Sequence, residues 1–127
     1  MLNIREKGQI MMATLQKKSF NNPDERRTPP KATVEIVSFD GMSVARVTYD
    51  TGWRWSEHIK PVVGTESCQV SHLAYVISGR MTIQMADGTK QDFGPGDLAI
   101  APPGHDGWVV GDEPCVILDF QGASRAV

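Results

Sequence analysis

Turn signals recur along this chain at intervals too short to leave room for long helices. Asp40-Gly41, the break from Asp50 to Gly52, Ser78-Gly79, Asp87-Gly88, GPGD at 94–97, PPGHD at 102–106 and GDEP at 111–114 each interrupt a short apolar run. Between them lie 33–39 (TVEIVSF), 42–49 (MSVARVTY), 53–59 (WRWSEHI), 68–77 (CQVSHLAYVI), 80–85 (RMTIQM), 89–93 (TKQDF), 98–101 (LAIA), 108–110 (WVV) and 115–120 (CVILDF). The clearest of these alternate apolar and polar residues, the period of a half-buried strand. About nine short strands at regular spacing, with no convincing amphipathic helix, predict an all-β sandwich or small barrel.

The ends of the chain read differently. Residues 1 to about 32 contain NNPDERRTPPK, which combines charge and proline with no sustained periodicity. They are expected to form an extended N-terminal arm, either loose or laid across a neighbouring subunit or its own sheet, ahead of a β domain at 33–127. Met11 and Met12 before Ala13 offer a second start.

Charge and cysteine content narrow the function classes. Thirteen Lys and Arg against 15 Asp and Glu leave a net charge of −2, without the basic stripe of a phosphate-backbone binder, so nucleic acid is not the expected partner. No run approaches the roughly 18 to 20 apolar residues of a membrane span. The first residues have scattered charges and no small-residue cleavage site, unlike a secretory signal. Two cysteines, Cys68 and Cys115, are too few for a disulfide scaffold and suit a reducing compartment. The cytoplasm is the natural location.

Histidine is scarce, with His58, His72 and His105 the only three, all within the β-patterned region. Neutral imidazole is the commonest metal ligand, so three on the strands of one small barrel suggest a site. His72 follows Cys68 by four residues, and alternation along one strand would point both to the same face. A thiol and an imidazole could then share an ion. The plain alternatives are a buried apolar cysteine and a hydrogen-bonded core histidine. Glu66 shares the parity of Cys68 and is a further candidate ligand or base, although a glutamate in a loop such as GTES is normally solvated.

At these residues the chain resembles the cupin family. Gly52, WRWSE and His58 reproduce the opening of its first motif, and His72, LAYVIS and Gly79 its close. Gly96, DLAIA, Pro102, Pro103 and Gly104 reproduce the start of the second. The resemblance covers roughly residues 33 to 120 and implies a double-stranded β-helix, a cupin or jelly-roll barrel, usually with a divalent metal inside. Departures stand at fixed places. The family's second histidine falls at Lys60 counted from His58, or at Cys68 counted back from His72. Its glutamate position is His72. Its later histidine position is Gly107, with His105 two residues earlier and so of the same parity.

Chemistry and the family frame together give an expected ligand set of His58, Cys68, His72 and His105. Nitrogen and sulfur donors suit zinc first, and also iron, nickel or copper. Four protein ligands would make a closed structural site, and three plus water an open catalytic one. Arg54, Trp55, Tyr75 and Trp108 are the expected ligand pocket, because barrel mouths that bind small molecules combine aromatic walls with a few polar groups. Core or interface packing is the alternative for the aromatics, and simple surface charge for Arg46 and Arg54. An unpaired arm and edge strand favour a homodimer. The expected function is a metal-dependent enzyme acting on a small oxygenated metabolite in the barrel. The alternative is a non-enzymatic ligand-binding or sensing protein with a structural metal or none.

Overall fold

The computed structural model describes residues 2–4, 10–12, 14–122 and 125. Strands β1 (Leu2–Ile4) and β2 (Ile10–Met12) form a two-stranded antiparallel sheet of their own among the described residues. The rest of the expected arm ends in β3 (Glu25–Arg27), which adds to the edge of β4 (Ala32–Phe39) with Arg26 opposite Glu35. Residues 1, 5–9 and 13 of that arm lie outside the described residues.

The body is built from β4, β5 (Met42–Tyr49), β6 (His72–Ser78), β7 (Arg80–Met85), β8 (Lys90–Phe93), β9 (Leu98–Ala101), β10 (His105–Val110) and β11 (Cys115–Gln121). One sheet has the order β3-β4-β5-β11-β6-β9 and the other the order β10-β7-β8. Every pairing is antiparallel. Alternation sets what each strand buries. Val34 and Ile36 of β4, Val47 of β5, Val76 of β6, Met81 of β7, Val109 of β10 and Ile117 of β11 join one core drawn from both sheets. Each such side chain contributes roughly 1.5 to 3 kcal/mol on burial, so both sheets are held by the faces they turn to each other.

The stretch 53–59 departs from the strand expected there. The structure has two single-turn helices, α1 (Trp55–His58) and α2 (Lys60–Val63). Trp55 and Ile59 are both buried, and their spacing of four places them on one helical face. Pro61 sits at the start of α2, and Gly64, at φ 80°, ends it in the left-handed conformation, as helix punctuation does. His58 therefore stands on a helix and not on a strand. Cys68 likewise precedes β6, joined instead to His105 by an isolated antiparallel bridge.

Candidate metal centre

Three of the expected ligands converge. Sγ of Cys68 and one ring nitrogen each from His72 and His105 lie within 4.8 Å of one another, the one such metal-compatible group among the described residues. Different elements deliver them. His105 opens β10 and its backbone pairs with Cys68: Cys68 N–H donates to His105 O at 2.8 Å and Gly104 N–H to Cys68 O at 2.7 Å. His72 opens β6, with its ring edge-on to that of His105 at 5.4 Å between centroids. Nε2 of His72 lies 3.7 Å from Cys68 Sγ.

The second nitrogen of each imidazole is anchored, which settles which one remains for a metal. His105 Nδ1 lies 2.6 Å from the carbonyl oxygen of Pro102. A carbonyl can only accept, so Nδ1 carries the proton and, in the neutral ring, Nε2 keeps its lone pair. His72 Nδ1 lies 2.7 Å from Asp119 Oδ2, the carboxylate–histidine arrangement that orients metal-binding rings. The Asp119 side chain is fully buried, and its Oδ1 accepts the N–H of Gln121 at 2.9 Å. Asp119 escaped the sequence reading. Its signal was parity, because Cys115, Ile117 and Asp119 share the inward face of β11, where a lone carboxylate amid apolar residues requires a partner.

Electrostatics follow from this arrangement. Burial alone would raise the Cys68 thiol, but interactions with the imidazoles of His105 and His72 outweigh it and bring it down to about 6. Burial would lower His72, and the Asp119 hydrogen bond together with the one to Cys68 carries it up to about 9. Without metal, the pair is a thiolate beside an imidazolium at neutral pH.

The other expected site residues sit elsewhere. His58 is engaged locally, its Nδ1 3.0 Å from the backbone nitrogen of Arg54 and 3.1 Å from its carbonyl oxygen, and it is not part of the converging group. The helical turn points it back at its own backbone. The Glu66 side chain is 95% exposed and pairs with Lys60 at 3.0 Å. Arg46 pairs with Glu35 at 2.9 Å.

Beside the Cys/His group lies a cavity of about 100 Å³. Trp55 lines it, but Arg54, Tyr75 and Trp108 do not. Parity explains two of these: on β10 the inward residues are His105, Gly107 and Val109, so Trp108 faces out, and Tyr75 is exposed on the outer face of β6. Arg54 stacks over Trp108 with its guanidinium carbon 4.2 Å from the ring centroid, and it reaches Asp106 at 3.5 Å. The three form an outer clip joining α1 to β10. Trp53, Met81, Phe93 and Gly107 contribute to the lining instead. A Cβ at Gly107, where the cupin pattern has a histidine, would press on Ile83 Cδ1 at 3.0 Å and meet Trp53 Cζ3 at 3.9 Å. Ile83 thus crowds the place a side chain there would take, and the imidazole on β10 is that of His105, two residues earlier.

Residues 58–121 match the family described as Cupin domain. The chain is a cupin. Among solved structures, this cupin is similar to a protein of unknown function from Rhizobium leguminosarum bv. viciae 3841, at 19% identity over 87% of this chain and 98% of that one, with a TM-score of 0.63. It is also similar to an uncharacterized protein with a double-stranded β-helix domain from Klebsiella pneumoniae (19% identity, 90% and 95% covered, TM-score 0.57). A third is KdgF from Halomonas sp. (20% identity, 81% and 93% covered, TM-score 0.54). At such identities the likeness is one of fold, a double-stranded β-helix. No curated protein matches the chain. Among the described residues no helix is long and apolar enough to cross a membrane.

Proposed function

We propose that this cupin is a metal-dependent enzyme acting on a small oxygenated metabolite in its barrel cavity, with Cys68, His72 and His105 as the metal ligands. One observation carries the reading: three ligand atoms gather within 4.8 Å at the cavity wall, while a buried carboxylate and a backbone carbonyl fix the two imidazoles from behind. Zinc suits this donor set best, with iron, nickel or copper as the other ions it would take. Three protein ligands leave a position for solvent or substrate, the open arrangement of catalytic sites. A bound ion supplies Lewis acidity toward a substrate oxygen. The chain itself orients and shields. Asp119 and Pro102 hold the imidazoles in one tautomer, and Trp55, Met81 and Phe93 limit water around the reacting group.

The protein is further proposed to be cytoplasmic, where Cys68 and Cys115 stay reduced as the free thiols seen here. A homodimer would cover the edge strand β9, whose Leu98 and Ile100 are 64% and 74% exposed. Size-exclusion chromatography with light scattering tests the dimer. Twice the chain mass is expected, falling to the monomer in Leu98→Lys/Ile100→Lys; a monomeric parent refutes it.

The central test is elemental analysis of protein purified without chelators from metal-replete cells, followed by cobalt substitution. Stoichiometric metal and a thiolate-to-cobalt charge-transfer band that vanishes in Cys68→Ser are expected. Recovery without transition metal overturns the reading. A cobalt spectrum of four protein donors with no exchangeable position would instead mark the non-enzymatic binding or sensing protein.

A further inference from the structure

Tyr49 carries a hydroxyl for which the protein itself supplies no use. On β5 it shares the parity of Ala45 and Val47, both buried, so its side chain points into the barrel. There it lines the cavity together with Val47 and Trp53. Its backbone is paired with Ala32 of β4 on one side and Cys115 of β11 on the other. Its ring packs on that of Trp53, centroids 4.3 Å apart, and Trp53 is tied by main-chain bonds to Asp50 and Val109 at 3.0 Å each. Phenylalanine would give the same packing, so the oxygen needs a separate reason.

Buried tyrosine hydroxyls normally find a hydrogen-bond partner. This one has none among the described residues, yet it is not sealed: the one buried side-chain nitrogen or oxygen without a partner there is the Trp53 indole nitrogen. The Tyr49 oxygen therefore keeps accessible surface, and that surface opens inward. Burial, and after it the charge of the interior carboxylate Asp119, push the phenol above the ordinary tyrosine range, which places the oxygen among interior groups and not at the rim. An ordinary phenol is already protonated at neutral pH, so the cavity wall presents a standing O–H donor, whatever the state of the Cys/His group.

Taking the cavity as the substrate site of the preceding section, we propose that Tyr49 is its ligand-orienting residue, the hydroxyl donating a hydrogen bond to an oxygen of the bound molecule. A carbonyl compound is then favoured over a hydrocarbon of the same shape. The volume of about 100 Å³, below the roughly 150 Å³ of a cavity that admits benzene, limits the enclosed part of the ligand to about a small ring.

Cyclopentanone labelled with ¹³C at its carbonyl is the probe, cyclopentane the control, and Tyr49→Phe the variant, which keeps the ring on Trp53. In infrared difference spectra of the metal-free protein, the carbonyl band of bound cyclopentanone is expected at lower frequency than in hydrocarbon solvent. In Tyr49→Phe that shift should be lost and cyclopentanone should bind about tenfold more weakly, the equivalent of about 1.4 kcal/mol. Cyclopentane, followed by NMR titration, should bind both proteins alike. An unshifted band in the parent protein, which requires no variant to fold, overturns the proposal. So does a shift that persists in Tyr49→Phe, an equal loss of cyclopentane affinity in the variant, or a parent protein that takes up no cyclopentanone and holds water only. Zinc uptake, measured on the same samples, keeps the two readings apart. Normal zinc binding with no Tyr49-dependent shift removes only the orienting role, and a Tyr49-dependent shift without zinc binding removes only the metal centre.

Discussion

Cys68 and Cys115 are both buried, at 4% and 0% exposure, and both belong to the same core, yet their surroundings drive them in opposite directions. Cys68 has two imidazoles within reach and is brought down to about 6. Cys115 has none, and burial together with the charge of Glu113 pushes it up to about 11. Burial alone makes a cysteine inert; burial beside oriented imidazoles makes it a thiolate. The barrel thus has a chemical end, where Cys68 bridges to His105, and a packing end. At the latter Cys115 opens β11 beside the Gly79 turn, so close that a Cβ on Gly79 would run into the carbonyl oxygen of Pro114.

The contrast can be broken in several places, the largest effect first. In metal-free native protein at pH 7.5, iodoacetamide should modify Cys68 about a thousandfold or more faster than Cys115, given thiols near 6 and 11. The Cys68 rate should fall off only below about pH 6. Mass spectrometry of timed digests reads this, and comparable rates for the two thiols would abolish the distinction. Zinc affinity should drop by more than about 100-fold in Cys68→Ser and stay unchanged in Cys115→Ser, because losing a direct ligand should exceed the 10- to 100-fold typical of an outer-shell change. Competition with a chromophoric chelator measures it.

Asp119→Asn sharpens the comparison by altering the chemical end without touching a ligand. Zinc affinity is expected to fall about 10- to 100-fold. The pH dependence has a definite sign. His72 is raised from 6.5 to about 9 in the folded chain, so its pairing with Asp119 stabilises fully below pH 6.5, and this is lost as pH rises through about 9. The urea-midpoint gap between the metal-free parent and Asp119→Asn should therefore be wide at pH 7 and narrower at pH 9.5. A gap independent of pH would show that the pair does not titrate as described. Gly79→Ala probes the packing end. Positive φ and the clash with Pro114 should cost about 2 to 4 kcal/mol of stability, with zinc affinity unchanged in the fraction that stays folded.

The strands were legible because period-two patterning and Gly or Asp-Gly turns are local signals. Residues 42–49 are β5 and residues 80–85 are β7, as the pattern predicts. The segment 53–59 was misread because Trp53 and Trp55 mimic strand alternation, whereas the spacing of Trp55 to Ile59, Pro61 and Gly64 carried the helical signal. Cys68, His72 and His105 were visible as residue types. That they meet without His58 was not, because their meeting depends on the bridge between Cys68 and β10 and on a helical turn that directs His58 to Arg54. Arg54, Tyr75 and Trp108 have the composition of a pocket wall, but strand parity and the clip on Asp106 place them outside.

The backbone pairing of Cys68 with His105 bears on how the proposed ion would be acquired. Two of the proposed donors are joined through main-chain bonds between Cys68 and the start of β10, and the third is braced by Asp119. The bracing comes from the barrel's own backbone and a buried carboxylate, so under the proposed metal-binding reading loading need not drive folding, unlike a zinc finger that collapses only around its metal. Stripping the ion should therefore leave the circular dichroism of the barrel intact.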